Sequence, residues 1–241
     1  MKIGVIGAGI AGGYLGSALG QLGHDVVVLE KSRGFGGRLA TRRGEGVQFD
    51  HGAPFFTART SLFKELLAEH ASSVVEWTPR VTTLSPSGKS YKRDWFEPHY
   101  IGAPAMGAPA QSLLATSEVQ FEREVDTVES EAERCLVHFK DGGVEPYDFV
   151  ISTAPAPQTA AIMNIELEDV SYSPCFALLA IPSKSLNFDA AVVKDSLIEW
   201  VEYTASKPDR VSTPRLRIIP GATVQRAESI FLIERNDSTT S

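Results

Sequence analysis

The sequence predicts an α/β fold on a parallel sheet, and three observations in its opening segment predict it. Lys2-Ile3-Gly4-Val5-Ile6-Gly7 reads as a short buried strand that runs into the glycine turn Gly7-Ala8-Gly9-Ile10-Ala11-Gly12. Ala11, Leu15, Ala18, Leu19 and Leu22 then recur at helical spacing, which predicts a helix with one apolar face, closed by Gly23. Val26-Val27-Val28-Leu29 follows as a β-branched strand and ends on Glu30. Strand, turn, helix, strand and acid in this register form a dinucleotide-binding unit.

Each residue type in the unit has a physical task. Gly7 permits the sharp turn out of the strand, Gly9 lets the backbone approach a pyrophosphate with no Cβ in the way, and Gly12 lets the helix pack close to the strands. The helix start at Ile10 and Ala11 offers unpaired N–H groups and the positive end of the helix dipole to phosphate oxygens. Glu30, followed by Lys31, can accept hydrogen bonds from ribose hydroxyls and would repel a 2′-phosphate.

The next segment selects the dinucleotide. Gly36-Gly37-Arg38 lies within Ser32–Thr41, and an NAD domain has no use for a second glycine pair and an arginine there. An extended FAD does: Gly37 and its neighbour let the backbone pass close, and the planar fork of Arg38 bonds two phosphate oxygens at once. Phe49-Asp50-His51-Gly52-Ala53-Pro54-Phe55-Phe56-Thr57 then begins as a strand and enters a tight apolar turn. A glycine among small residues suits an isoalloxazine ring lying against backbone, so Gly52, Ala53, Pro54 and Phe55 join the candidate cofactor contacts. His51 reads as a loop histidine bonded to backbone, and no side chain is singled out as catalytic.

Bulk properties narrow the class. A chain of 241 residues buries a sizeable core, as one large domain or two interleaved ones. Hydrophobic content of 43% and charged content of 22% are ordinary for a soluble globular protein. The net charge of −7 argues against a general nucleic-acid binder, which needs a basic surface. Cys135 and Cys175 stand far apart, and His24, His51, His70, His99 and His138 are scattered, so neither a disulfide framework nor a metal site is expected. That usage fits a reducing, cytoplasmic compartment. Ile3 to Gly23 carries no charge, but its glycines suit neither a leader peptide nor a membrane span, and no membrane association is expected.

Further along, Leu62-Phe63-Leu66-Leu67 forms a helical apolar stripe, read as core. Glu118 to Ser152 reads as strands joined by turns, with Asp141-Gly142-Gly143 as a hairpin turn. Trp77, Trp95 and Trp200 read as core or domain-interface packing, with a planar substrate's pocket as the alternative.

The glycine turn with Glu30, Gly36-Gly37-Arg38 and Asp50-His51-Gly52-Ala53 together resemble the monoamine-oxidase superfamily of FAD proteins, and more closely its renalase-like branch of bacterial NAD(P)/FAD-dependent oxidoreductases. Ala105–Leu113 resembles the helix start that returns the chain to the FAD domain. Val119–Val125 resembles the strand whose end, near Val125, meets the adenine side through backbone atoms. Tyr147–Gln158 resembles the crossing between domains, and Tyr172–Leu178, Lys194–Trp200 and Ser206–Arg210 resemble substrate-domain pieces. The likeness covers Met1 to Arg210.

The resemblance implies a Rossmann-type FAD-binding domain, residues 1–60 and 101–156, with an interleaved α+β substrate domain, residues 61–100 and 157–211, and a divergent tail, 212–241. It implies FAD as cofactor and hydride transfer from a reduced small molecule, an isomeric dihydronicotinamide, to flavin and then to O2. A flavin amine oxidase and a truncated, non-catalytic nucleotide-binding remnant are the alternatives. The family's glycine-aspartate segment near the C-terminus has no match here, and Ile218–Arg226 looks unlike the expected sheet strand. A truncated gene product is therefore expected, with weak FAD retention; purified protein that carries stoichiometric FAD through gel filtration would contradict this.

Overall fold

Unbroken β-branched runs form the centre of the molecule, as expected of strands covered on both faces. The computed structural model describes residues 1–44, 47–88, 91–92, 97–167, 170–172, 175–182, 186–210 and 216–220. The first segment holds β1 (Lys2–Ile6), α1 (Ile10–Gln21), β2 (Asp25–Leu29) and the hairpin β3 (Thr41–Gly44) and β4 (Val47–Asp50). Next come α2 (Ser61–Glu69), β5 (Val74–Glu76), β6 (Val81–Leu84), β7 (Tyr91–Lys92) and β8 (Tyr100–Gly102). The helix α3 (Ala108–Leu113) leads to β9 (Glu118–Gln120), β10 (Val125–Ser130), β11 (Cys135–Phe139), β12 (Val144–Tyr147) and β13 (Phe149–Ser152). The last part comprises α4 (Ala156–Met163), β14 (Leu178–Ala180), β15 (Ala190–Val193), β16 (Ile198–Tyr203) and β17 (Leu216–Pro220).

The expected α/β fold is present. A parallel sheet runs β13-β1-β2-β9, with Ile6 opposite Leu29 on one side and Ser152 on the other. Side chains alternate across it. Ile6, Val27 and Leu29 pack on one face against Val125, Val137, Phe139 and Tyr147 from the antiparallel meander β10-β11-β12. Ile3, Val5, Val26 and Val28 pack on the other with Ala8 and Leu114. A separate six-stranded sheet, β14-β17-β16-β15-β6-β7, carries a third cluster: Val81 and Ala190 with Trp77, Ile101 and Met106. Leu39, Ala53, Phe55 and Trp200 border that cluster, so the loops beyond β2 and β4 reach the second sheet.

The structure corrects several local expectations. The buried residues of α1 are Gly12, Gly13 and Gly16, whereas Leu22 is 73% exposed. The helix therefore turns its glycines fully inward, with Leu19 only partly buried against the core, because α3 and β2 press against it: a Cβ on Gly13 would stand 3.0 Å from that of Leu113, and one on Gly16 3.2 Å from Leu114. In α2 only Leu67 is buried, and Leu62 lies in solvent. The strand after α3 ends at Gln120, and Val125 opens the next strand, with its side chain in the core beside Leu29.

The C-terminal expectation is also corrected. Leu216–Pro220 is a sheet strand, antiparallel to both β14 and β16, with Ile218 opposite Leu178 on one side and Val201 on the other. Its alternating pairing partners come from distant sequence, which a local pattern does not reveal. Trp95, Ser173, Pro174 and residues 221–241 lie outside the described residues.

Two substitutions test this packing. Leu29→Ala, at the 1% exposed centre of one sheet face, is expected to cost about 2–5 kcal/mol in urea denaturation. Gly16→Leu should cost about 1–3 kcal/mol by forcing α1 off α3.

Candidate functional site

The C-terminal ends of β1 and β2, where an open α/β sheet offers its crevice, gather the conspicuous loops. Gly7 leaves β1 with φ +103°, and its N–H donates to Leu29 O at 2.8 Å. A Cβ on Gly12 would sit 1.9 Å from Gly7 O, so the first turn of α1 closes on the strand only with glycine there. Thr153 supports the same turn from β13's end, its Oγ1 donating to Ile6 O at 2.8 Å.

The second glycine loop docks on the first. Gly36 N–H donates to Ala8 O at 2.9 Å, and Gly9 and Gly36 form a parallel bridge. Gly36 and Gly37 have φ of +121° and +53°, conformations that side chains rarely adopt. Gly37–Leu39 forms a single 3-10 turn that leaves Arg38 exposed at the mouth of the first turn. The third loop docks on the second: Ala53 N–H donates to Arg38 O at 2.8 Å, and a Cβ on Gly52 would lie 2.0 Å from that same oxygen.

Glu30 ties the first two loops together. It is 7% exposed, and its Oε2 accepts from Ala8 N–H at 2.8 Å. Its Oε1 accepts from Ser32 N–H at 2.8 Å and from the Ser32 hydroxyl. Glu30 O accepts from Arg123 N–H at 3.0 Å and Ser32 O from Glu122 N–H at 3.1 Å, which brings the turn after β9 to the same rim. Lys31 is exposed beside it.

The structure thus brings together Gly7, Gly9, Ile10, Ala11, Gly12, Glu30, Gly37, Arg38, Gly52 and Ala53 along one edge. Val125 reaches the rim only through the preceding turn, since its side chain is 5% exposed in the core. Pro54 and Phe55 are half-buried and point the loop toward the second sheet. Phe55 packs edge-on to His99 at 4.2 Å between ring centroids and lies 6.0 Å from Trp200. Burial pushes the His99 imidazole below its usual pKa, against the opposing pull of Glu97. Trp77, 3% exposed, is core.

A buried ionic group was not evident from any local motif. Asp50, fully buried, ends β4 just before Gly52. Its Oδ2 accepts from Lys207 Nζ at 3.3 Å and from Arg210 Nε and Nη2 at 3.1 and 2.9 Å. Its Oδ1 accepts from Thr41 Oγ1 at 2.7 Å and Met106 N–H at 3.3 Å. Burial raises the carboxyl's pKa, but Lys207, Arg210 and the hydrogen bonds outweigh it and hold the group below its ordinary 3.8.

The geometry can be tested for a dinucleotide without reference to any relative. Gly12 and Gly52 are required by the protein's own backbone. Gly9 is not: its φ is −80°, and the nearest atom to an added Cβ is 3.8 Å away. The space above Gly9 therefore lies open at the N-terminus of α1, whose cap carries no side-chain hydrogen bond. A pyrophosphate fits that cradle.

Known proteins agree with this. Residues 5–69 match the model of an NAD(P)-binding Rossmann-like domain, and residues 93–184 that of flavin containing amine oxidoreductase. A 4,4'-diapophytoene desaturase of Staphylococcus aureus is 35% identical over 66 residues, a stretch that is 27% of this chain and 13% of the desaturase. A fatty acid isomerase of P. acnes shares the fold at TM-score 0.70 and 13% identity, over 90% of this chain and 76% of that one. Putrescine oxidase does so at 0.67 and 10%, over 91% and 75%. Fold and segment matches together define the class as far as they reach: a Rossmann-like nucleotide-binding segment and a segment similar to flavin containing amine oxidoreductase lie in one chain, and its cofactor is FAD.

Three outcomes follow from the geometry. Gly12→Ala should destabilise the apoprotein by about 1–3 kcal/mol, whereas Gly9→Ala, which meets no atom closer than 3.8 Å but replaces a favoured N-cap residue, should cost about 1 kcal/mol or less. Because the folded Asp50 pKa is depressed, its ionised form contributes stability that is complete above 3.8 and lost as pH falls through the lower folded value. Denaturant unfolding from neutral pH to about pH 3 should therefore show a steeper acid limb in the wild type than in Asp50→Asn.

Proposed function

We propose that the chain is an FAD-dependent oxidoreductase that oxidises a small, planar reduced substrate, an isomeric dihydronicotinamide, with O2 as final acceptor. The observation that carries the nucleotide part of this is the open space over Gly9, between the exposed Arg38 and the buried Glu30, where no protein atom fills the place of the missing side chain. FAD, when bound, accepts a hydride equivalent from the reduced substrate and returns the electrons to O2.

The chain's own groups bind, orient and exclude water. Ile10 and Ala11 present N–H groups to the diphosphate, and Arg38 reaches it from the opposite loop. Glu30 has Oε1 filled by the two donors of Ser32 and Oε2 bonded to Ala8, so it shapes the ribose pocket while Oε2 keeps one lone pair for a hydroxyl. Gly52–Phe55 would lie along the ring, and the turn before Val125 would hold the adenine side. Phe55 and Trp200, both half-buried, offer ring faces for a planar substrate. No proton transfer is required of a side chain when a dihydropyridine gives up hydride.

We assign residues 1–60 and 101–156 to the FAD-binding part and 61–100 with 157–211 to the substrate part. Strand β17 extends the latter, because it completes the same sheet as β14 and β16. Oxidation of an amine is the second reading, favoured by the match of residues 93–184 to flavin containing amine oxidoreductase.

Incubation with FAD should yield a yellow protein, and Gly9→Ala should raise the Kd for FAD about tenfold while the apoprotein stays folded. Anaerobic mixing with an isomeric dihydronicotinamide should bleach the flavin absorbance while a primary amine leaves it unchanged; the reverse pattern overturns the substrate assignment in favour of the second reading.

A further inference from the structure

The ionic group around Asp50 joins segments that are far apart in the chain. Asp50 and Thr41 belong to the hairpin β3–β4, and Met106 to the segment before α3. Lys207 and Arg210 follow the last residue of β16 by a short turn. Arg210 Nη2, besides its bond to Asp50, donates to Gly102 O at 2.7 Å, the end of β8. Glu202 Oε1 lies 2.6 Å from Lys207 Nζ. The side chains of Asp50, Glu202 and Lys207 are 0% exposed and that of Arg210 is 1% exposed.

Among the described residues the group holds two carboxylates, Asp50 and Glu202, and two cations, Lys207 and Arg210, all shielded from water. Such a set is a weak source of net stability, because desolvation of each ion offsets most of the attraction, and apolar replacements of similar volume often do as well. Its distinguishing property is direction. A carboxylate bonded by two cations and two further donors has one orientation, and the residue that carries it has one position. Here that residue lies immediately before His51 and Gly52, and the cations that hold it are on the second sheet's side. The cluster therefore couples the turn to the sheet that carries Trp200, whose ring lies 6.0 Å from that of Phe55.

We propose that Asp50, gripped by Lys207 and Arg210, is the positioning residue for the Gly52–Phe55 turn, setting its placement against the second sheet. The consequence for a bound flavin rests on the FAD assignment above; the turn's placement does not. Arg210→Lys is the informative variant. It keeps the positive charge beside Asp50, but an ammonium cannot supply the two bonds to Asp50 and the one to Gly102 O in the guanidinium's fixed geometry. Asp50→Asn serves as the stronger perturbation.

Hydrogen exchange of the apoprotein reads the turn directly, since Ala53 N–H is bonded to Arg38 O and Phe56 N–H to Tyr100 O. In Arg210→Lys these amides should exchange at least about tenfold faster, with Val27 and Val28 of the central sheet unchanged. The Kd for FAD should rise about fivefold, and the visible circular dichroism of the saturated protein should change. Uniform acceleration across the molecule, or no acceleration at the turn, overturns the proposal. If the turn responds while the wild type takes up no FAD, the positioning role stands and the flavin reading falls.

Discussion

Closure of three loops on one another by main-chain hydrogen bonds is the constraint on which the site depends. Gly36 N–H binds Ala8 O, and Ala53 N–H binds Arg38 O, so the second loop is clasped between the first and the third. Contacts this close leave no room for a Cβ at Gly12 or Gly52, where one would overlap a carbonyl oxygen. Backbone, not side chains, forms the floor of the crevice. Such a floor suits a ligand that carries a diphosphate, because unpaired N–H groups at the start of α1 would meet its charge.

Two buried carboxylates hold this arrangement by different means. Glu30 is satisfied by neutral donors, Ala8 N–H and the Ser32 backbone and hydroxyl, all from adjoining loops. Its bonds organise local backbone at the end of β2. Asp50 is satisfied chiefly by full cations that arrive from the second sheet. An uncompensated charge in such a place would cost several kcal/mol, so the hairpin and the second sheet cannot separate while both remain buried. The first carboxylate shapes one side of the crevice; the second binds that crevice to what faces it.

The central sheet gives these loops a rigid base. Its two faces are covered by different elements, the meander over Val27 and Leu29, and α1 with α3 over Val26 and Val28. The glycines of α1 allow that helix to lie against α3, which anchors the helix N-terminus above the crevice. Similarity at low identity to an isomerase and an oxidase shows how widely one such base is used. The chemistry each performs resides in the loops and in the sheet opposite.

What the sequence by itself determined was the nucleotide-binding half. A strand, its turn, a helix and an acid are contiguous, and Gly7, Gly9, Gly12 and Glu30 act through local geometry that spacing reveals. The parallel sheet and the meander after β9 were readable for the same reason. Tertiary structure alone decided which face of α1 is buried, because that depends on α3, and made a strand of Leu216–Pro220, because its partners lie at Leu178–Ala180 and Ile198–Tyr203. It likewise decided that Asp50 meets Lys207 and Arg210, some 157 and 160 residues away in sequence. Contacts across such separations leave no periodicity or spacing to read; only the folded chain brings the charges together.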